Sequence, residues 1–377
     1  MISVTMYRKY RICKRCVMDT SDPDIQFNEK GYCNHCQRVE EILKQEPHCL
    51  SQKEKKQRLD DLLKQVKSDG KNKRYDCIIG VSGGVDSTYV AYLVKKWGLR
   101  PLAVHLDNGW DTELSVKNVE HICRRLDIDL FTHVLDWEEF RDLQVSFLKS
   151  STSDLEIISD HAILALLYKT AAREHLKYIL AGTNFATESI LPHRWSYGHR
   201  DWRYIENIHK AFGSTKLKSF PHMSREDFYY QIRINKRKLI SVLDYVDYNR
   251  ENAKKILIKE LCWKDYGNKH NESFITKFHI NYILPTKFGY DKRRAHLSSM
   301  IMAGQISREK ALTELEKPGY NEEQMQSDRE FVLKKLGLSD SEFEKIIALP
   351  SKTYWDYPSY QTSRLHKFKQ IIRGKSR

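Results

Sequence analysis

From Arg74 onward, short apolar runs rich in β-branched residues alternate with stretches whose apolar positions recur every three or four residues. A strand buried on both faces is apolar throughout, whereas a crossover helix is apolar along one stripe, so this alternation predicts a parallel sheet with helices on both sides. The runs place strands at 77–81, 101–106, 129–134 and 178–181, and helices at 88–97, 114–126 and 160–175. Before them, 51–73 is charged, repeats Leu59, Leu62, Leu63 and Val66 at helical spacing, and opens with a capping box of Ser51 and Glu54. It reads as a connecting helix whose lysines form a solvated face. Beyond residue 300 the pattern is helical: Ser307 opens a segment carrying Ala311, Leu312 and Leu315 that stops at Pro318-Gly319, and Ser339 with Glu342 forms a second capping box.

The first strand breaks at Ser82-Gly83-Gly84-Val85-Asp86-Ser87 and gives way to helical spacing. Glycines at a strand-to-helix junction bring backbone close to a ligand, and the N–H groups of the helix start, helped by Ser82 and Ser87, hold an anion such as phosphate. The Gly-Lys-Ser/Thr ending of a Walker A loop is missing, which argues against an ordinary γ-phosphate site. The string resembles the PP-loop of the ATP pyrophosphatases. That resemblance implies cleavage of ATP between its α and β phosphates, with the loop gripping the departing pyrophosphate and a substrate oxygen becoming adenylylated.

In such sheets ligands lie at the carboxyl ends of strands. After the second strand comes His105-Leu106-Asp107-Asn108-Gly109, where PP-loop enzymes hold adenine and ribose, so His105, Leu106 and Asp107 are expected to line the nucleotide. After the fourth comes Gly182-Thr183-Asn184, with Glu188 downstream, similar to the magnesium-holding segment of NAD synthetases. Magnesium on a triphosphate takes hard oxygen ligands, which Asp86 and Glu188 can supply.

With 377 residues the chain has room for two or three cores. The mean hydropathy of −0.63, the lack of any eighteen-residue apolar run, and a leading segment without a signal-peptide core point to a cytoplasmic enzyme. A net charge of +14 favours an anionic partner without choosing among nucleotide, nucleotide-sugar and nucleic acid. Of eight cysteines, Cys13, Cys16, Cys33 and Cys36 form two C-x2-C knuckles at zinc-ribbon spacing, a closed and hence structural Zn2+ site. Between Leu191 and Ile240, eleven Lys or Arg meet four acids, with nine aromatics interleaved, a pattern suited to clamping phosphates and stacking on a base or sugar, or equally to a basic surface with half-buried rings.

Two further strings, 263–278 and 284–299, narrow the comparison. With the cysteine knuckles and the loop they resemble the N-acetyl sugar amidotransferases of bacterial surface-polysaccharide, including O-antigen, and flagellar-glycan synthesis. Lys292, Arg293, Arg294 and His296 form a cluster able to bind a pyrophosphate or carboxylate, with Lys269, Glu272 and Lys277 expected across the cleft. Asp86, Lys269 and Arg293 are the expected catalytic groups.

The resemblance implies an ATP-dependent amidotransferase. It would adenylylate the acetamido group of a nucleotide-activated sugar and replace its oxygen with ammonia-derived nitrogen, giving an acetamidino sugar. Cys49, Cys77, Cys123 and Cys262 sit in no nucleophile elbow and position 2 is Ile, so a glutaminase is not expected here. Separate glutaminase and cyclase-like subunits are then the implied ammonia source. The rival readings are a tRNA-thiolating PP-loop enzyme, disfavoured by unpaired spare cysteines, and a nucleic-acid adaptor with an inactive nucleotide domain.

The expected architecture is α/β: a doubly wound parallel sheet of the PP-loop, HUP-like kind, with an N-terminal zinc ribbon and a helical C-terminal region. The divisions are 1–50 for the ribbon, 51–73 for the connecting helix, 74–215 for the ATP-binding domain, and 216–377 for the substrate-side and helical region. From Ser363 the tail carries six Lys or Arg and no acid.

Overall fold

Four strands form where the apolar runs place them. In the computed structural model, which describes residues 9–267 and 272–363, α1 (Asn34–Leu43) and α2 (Gln52–Gly70) lead into β1 (Cys77–Gly80), α3 (Val85–Lys96), β2 (Pro101–Asp107), α4 (Glu113–Arg125) and β3 (Asp129–Val134). Then come α5 (Trp137–Ser150), α6 (Ile157–Arg173), β4 (Tyr178–Ala181), the short α7 (Phe185–Glu188), α8 (Trp202–Phe212), α9 (Arg225–Tyr229) and β5 (Lys238–Ser241). After the sheet follow α10 (Arg250–Leu261), α11 (Phe274–Phe278), α12 (Lys292–Met302), α13 (Arg308–Glu316), α14 (Glu322–Leu336) and α15 (Asp340–Ala348). A π-helical segment, His279–Phe288, links α11 towards α12 and contains Pro285.

All strand pairs are parallel, in the order β3-β2-β1-β4-β5. Side chains alternate across the pleat as the two-residue period requires. Ile78, Leu102, Val104 and Ile179 enter one core with α5, α6, α14 and α15, while Cys77, Ile79, Ala103 and Leu180 enter the other with α2, α3, α4 and α10. Ile78 and Ile79 are wholly buried, each contributing about 1.5–3 kcal/mol relative to exposure. The chain winds outward through β2 and β3 on one side of β1, and through β4 and β5 on the other. The crevice at this reversal, between the carboxyl ends of β1 and β4, is where ligands of such sheets lie.

Three features differ from the sequence expectation. β5 comes from Lys238–Ser241, beyond the boundary placed at residue 215, so the sheet borrows an edge strand from the basic stretch. Helices α1, α5, α8, α9 and α10 lie where the sequence expectation places no element. The interleaved aromatics are largely core: Trp195, Tyr197 and Tyr204 are buried, and Trp202 stacks on His222 and Phe220, so these rings are not free to stack on a ligand. The capping boxes of Ser51 with Glu54 and Ser339 with Glu342 form as read. Among the described residues no helix is long and apolar enough to cross a membrane.

Candidate active site

The loop after β1 is shaped to keep backbone open. Gly83 has φ +76, and a side chain there would meet the Ser115 carbonyl oxygen at 2.6 Å, so only glycine fits. Gly84 is the N-cap of α3 and has no side chain to satisfy the first amides of that helix. Ser87 Oγ accepts from the Ser82 amide at 3.2 Å and lies 3.1 Å from Ser82 Oγ, closing the loop around the helix start. The buried Trp263 donates its indole N–H to the Gly83 carbonyl at 2.9 Å. Tyr266 Oη lies 3.2 Å, and Glu272 Oε1 3.7 Å, from where a Gly84 side chain would begin, so residues following α10 wall the cradle.

The end of β4 is pressed against this loop. A side chain at Gly182 would lie 3.0 Å from the Asp86 and Ser87 backbone. Asn184 caps α7 through the Thr187 amide and donates to the Gly182 carbonyl, and Glu188, an exposed residue at the end of this short helix, accepts from the Asn184 amide at 3.4 Å. Thr183 pairs instead with Ser241 at the end of β5, Oγ to Oγ 2.7 Å. Tyr248, absent from the sequence expectation, donates its hydroxyl to Asp86 Oδ1. Burial, then the Asp86 charge, pushes the Tyr248 phenol far above its ordinary value, with Glu188 a further contributor. Asp86 and Glu188 therefore act on one neighbourhood. Two carboxylates beside an anion cradle fit magnesium, which takes one or two carboxylates and fills its shell with water and phosphate.

The end of β2 contributes less than expected. His105 is buried, with Nδ1 3.0 Å from the Val81 carbonyl oxygen and Nε2 3.3 Å from Asp111. Burial opposes its protonation, but Asp111 outweighs this and raises its pKa. Leu106 is buried, and Asp107 accepts from the Gly109 amide at 2.8 Å to shape the turn. His105 and Leu106 thus support the crevice from within.

The N-terminal cysteines converge. Their four sulfurs lie within 4.8 Å of one another, with 3.6 Å between Cys16 and Cys33, 3.6 Å between Cys33 and Cys36 and 3.9 Å between Cys13 and Cys36. A tetrahedron built on metal–sulfur bonds of about 2.3 Å has edges of about 3.8 Å, so the cluster is compatible with zinc. All four are buried, and amides of Arg15, Cys16, Met18 and Cys33 point at the sulfurs. His35 is engaged with Asp22 at 2.6 Å.

The basic motif does not form one clamp. Arg294 pairs with Asp19 at 3.0 Å and donates to the Val17 carbonyl at 2.9 Å, so it grips the cysteine ribbon. Arg293 pairs with Asp291 at 2.8 Å and donates to the Lys317 carbonyl at 2.8 Å, fastening α12 to the end of α13. His296 Nδ1 donates to the Thr187 carbonyl at 3.1 Å and Ser299 Oγ accepts from the Ile190 amide, bracing the Glu188 segment. Lys277 pairs with the buried Asp328 at 2.7 Å. Glu272 faces the loop, its carbonyl accepting from the Thr112 amide and Ser115 hydroxyl. Lys269 lies outside the described residues. These placements correct the expectation that 292–296 grips substrate as a unit: charge order along the chain shows which residues are cationic, but not which acids the fold brings to them.

Lys292 leads to groups the sequence reading passed over. Its ammonium pairs with Glu156 at 2.5 Å, just before α6. A helix feeding a parallel strand runs antiparallel to it, so the N-terminus of α6 lies at the carboxyl edge of the sheet, beside the loop. Asn108 ties it there through Ser159 at 3.2 Å. Asp160, in its first turn, keeps a solvent-accessible carboxylate, yet burial, then Glu156 and Asp154, push its pKa up to about 8, with Glu188 contributing too. Asp154, accepting from Ser196 and the Tyr197 amide, is pushed up to about 6, chiefly by burial.

Comparison with known proteins matches both halves. Residues 55–219 match the family model described as NAD synthase, and residues 272–372 that described as LPS biosynthesis protein WbpG-like, C-terminal domain. An uncharacterized protein of Methanocaldococcus jannaschii is 24% identical over 311 residues, 81% of this chain and 93% of that protein. A tRNA-specific 2-thiouridylase of Thiobacillus denitrificans is 25% identical over 170 residues, 44% of each chain. Among solved structures, an NH3-dependent NAD synthetase from Campylobacter jejuni aligns with TM-score 0.29 at 15% identity, covering 56% of this chain and 85% of that one. The sheet order and the match over 55–219, rather than that superposition, identify the PP-loop fold.

Proposed function

We propose that this chain, a PP-loop protein of NAD-synthase type joined to a WbpG-like C-terminal domain, is an ATP-dependent amidotransferase of lipopolysaccharide assembly that turns the acetamido group of a nucleotide-activated sugar into an acetamidino group. The observation that carries this reading is the seam between the two matched regions. Glu272, where the WbpG-like match begins, stands at Gly84 of the loop, and Lys292 of α12 reaches the N-terminus of α6. The region resembling a surface-polysaccharide protein thus walls the nucleotide crevice, as a domain supplying the acceptor side must.

The acetamido oxygen attacks the α-phosphorus of ATP and pyrophosphate leaves into the cradle of Ser82 to Ser87, whose amides and hydroxyls face developing charge without reorganising. Asp86 and Glu188 would hold magnesium, which would supply charge neutralisation on the phosphates. Tyr248 fixes the Asp86 carboxylate, and Gly182 lets the β4 end approach the loop. Ammonia then attacks the activated carbon, the carbon–oxygen bond breaks, and AMP leaves with the oxygen. Most of the acceleration asked of the protein is positioning.

Zinc in the cysteine cluster is structural in this reading, since four thiolates leave no open position. Ammonia comes from separate glutaminase and cyclase-like subunits. Cys77 and Cys123 support that assignment: burial pushes both thiols upward, Cys123 to about 11, which suits neither glutamine hydrolysis nor sulfur transfer.

The test incubates the purified full-length protein with MgATP, ammonium chloride and either a UDP-acetamido sugar or bulk tRNA, measuring pyrophosphate and product mass. Pyrophosphate dependent on the sugar, with a product lighter by the difference between oxygen and NH, is the expected result. Pyrophosphate released only with tRNA and a sulfur donor overturns it in favour of thiolation.

A further inference from the structure

His105, 6% exposed near the end of β2, is a titratable group to which the reaction gives no task. Both of its ring nitrogens face oxygens that can only accept. Nδ1 lies 3.0 Å from the Val81 carbonyl oxygen, where β1 runs into the glycine loop, and Nε2 lies 3.3 Å from Asp111 Oδ2. A neutral imidazole carries one N–H and would turn a lone pair on one of the two oxygens, whereas the imidazolium presents an N–H to each. Burial works against this charge, and Asp111, the Val81 carbonyl and Asp107 outweigh it, raising the pKa of the ring. Lys335 of α14 acts on Asp107 and Asp111 while lying over the Trp110 ring. Asp111 in turn depends on the imidazolium, since Oδ2 is out of solvent and takes no hydrogen bond from any other group among the described residues.

The pair stands between two parts of the site. Val81 directly precedes Ser82, so its carbonyl is the root of the cradle. On the other side, Asp111 pairs with Ser273 in an isolated antiparallel bridge, closed by the Phe274 amide on the Trp110 carbonyl at 3.0 Å and the Thr112 amide on the Glu272 carbonyl at 2.9 Å. Glu272 and Ser273 open the WbpG-like region, and Glu272 Oε1 is the atom that walls Gly84. The ring therefore joins the root of the loop to the wall over it, through one hydrogen bond and one ion pair. Losing either link frees the wall to shift against the loop, and a misplacement of about 1 Å can cost a positioned reaction about a hundredfold.

We propose that His105 is a positioning residue, held as an imidazolium between Val81 and Asp111, and that this pair fixes the register between the phosphate cradle and the wall built by Glu272 and Ser273. Its consequence for turnover rests on the amidotransfer reading above. The device is sensitive to base: both links are intact below the folded pKa of the ring, and one is lost as pH rises through it.

Two measurements on the full chain need no turnover. With isotopic nitrogen in the histidine rings, the magnetic resonance signal lost in His105→Asn should show two ring protons and a midpoint above the ordinary value of about 6.5, and that midpoint should fall in Asp111→Asn. By hydrogen exchange at one pH, residues 110–116 and 272–278, which hold the bridge, should exchange about tenfold faster in His105→Asn and Asp111→Ala. Asp111→Asn should keep their protection, because its amide can donate to a neutral Nε2 while Nδ1 still donates to Val81. A midpoint at or below the ordinary value, or unchanged protection in His105→Asn, overturns the proposal.

In turnover, sugar-dependent exchange of labelled pyrophosphate into ATP should decline in base at the midpoint of the ring and lose that decline in Asp111→Asn. His105→Asn should lower the exchange about tenfold or more while the KM for MgATP stays within about twofold. A KM for MgATP raised in step with the loss of exchange would make His105 a nucleotide ligand and overturn the assignment, as would the same decline in base in Asp111→Asn. Should the unsubstituted protein show no sugar-dependent exchange, the amidotransfer reading falls, whereas the ring midpoint and the hydrogen exchange still decide the pair.

Discussion

Replacing Arg294 separates two roles for the basic motif. As a substrate ligand it would change the KM of the nucleotide-sugar; as placed in the structure it holds the cysteine ribbon. Asp19 is 2% exposed, and removing one partner of a buried pair costs about 3–5 kcal/mol because a charge is left uncompensated. Asp19 keeps three other donors, the Tyr10 hydroxyl at 3.0 Å, the Ser21 amide at 3.0 Å and the Ser21 hydroxyl at 2.5 Å. Arg294→Met should therefore sit at the lower end, about 3 kcal/mol, including the lost bond to the Val17 carbonyl. The ribbon stays attached through Met18, Ile25 and Val39, which pack with Ile190, Trp195 and Ile280.

The readout is metal release to a colorimetric chelator, expected to be about 10–100-fold faster, as when groups orienting metal ligands are lost. The KM for the sugar should be unchanged. Ser298→Ala, which deletes the hydroxyl accepting from the Val17 amide at 3.1 Å, should act in the same direction by about 1 kcal/mol. Unaltered metal release with a sugar KM raised tenfold or so would refute this account and return Arg294 to the substrate.

Gly83→Ala forces a side chain onto a left-handed residue, at about 1–2 kcal/mol, and against the Ser115 carbonyl at 2.6 Å. The loop must shift, and pyrophosphate release should fall about a hundredfold; activity near that of the unsubstituted protein would mean the loop backbone does not face the phosphates. Tyr248→Phe removes the hydroxyl donated to Asp86, so half-maximal pyrophosphate release should need about tenfold more magnesium, and an unchanged magnesium profile would detach Asp86 from the ion.

His161 Nδ1 donates to the His199 carbonyl at 2.7 Å while Nε2 accepts from the Met223 amide at 3.2 Å, an arrangement open only to the neutral ring. Burial pulls its pKa down to about 4. Its folded value lies below the ordinary one near 6.5, so the unfolded chain binds more protons as pH falls between them. His161 then subtracts about 1.4 kcal/mol of stability per pH unit over that window. Urea titrations at pH 7.5 and 5 should show a smaller difference for His161→Phe than for the unsubstituted protein, and equal differences would show that the ring is not buried neutral.

What the sequence reveals and hides divides along physical lines. Strands β1, β2 and β4 are legible because central parallel strands must be apolar on both faces, β3 at the other edge because its apolar residues still follow a short run between two helical patterns, and the cysteine knuckles because metal geometry dictates their spacing. β5 is not: Lys238-Leu239-Ile240-Ser241 is a half-exposed edge strand inside a cationic run, and its identity comes from pairing with β4. The loop residues were legible for a local reason, since a double glycine at a strand end has few other uses. Tyr248 and Trp263 complete that loop from 162 and 180 residues away, a relation that no local pattern records. Asp160 looked like an ordinary helix-start acid, and only the fold places it beside Glu156, Lys292 and Glu188.

The C-terminal motif has a different meaning once its partners are known. Arg294 and Ser298 face the cysteine ribbon, His296 and Ser299 face the segment that carries Glu188, and Lys292 faces Glu156 at the start of α6. α12 is thus a bracket between three parts of the molecule. A ribbon fixed by its thiolates is a rigid abutment for that bracket, and the bracket sets where Glu188 stands relative to Asp86. The cluster that looked like a binding surface instead couples the four-cysteine cluster to the glycine loop and the Glu188 segment. Loss of the metal should therefore first disturb the crevice through Thr187 and Glu188, with the sheet, whose two cores do not include the ribbon, left intact.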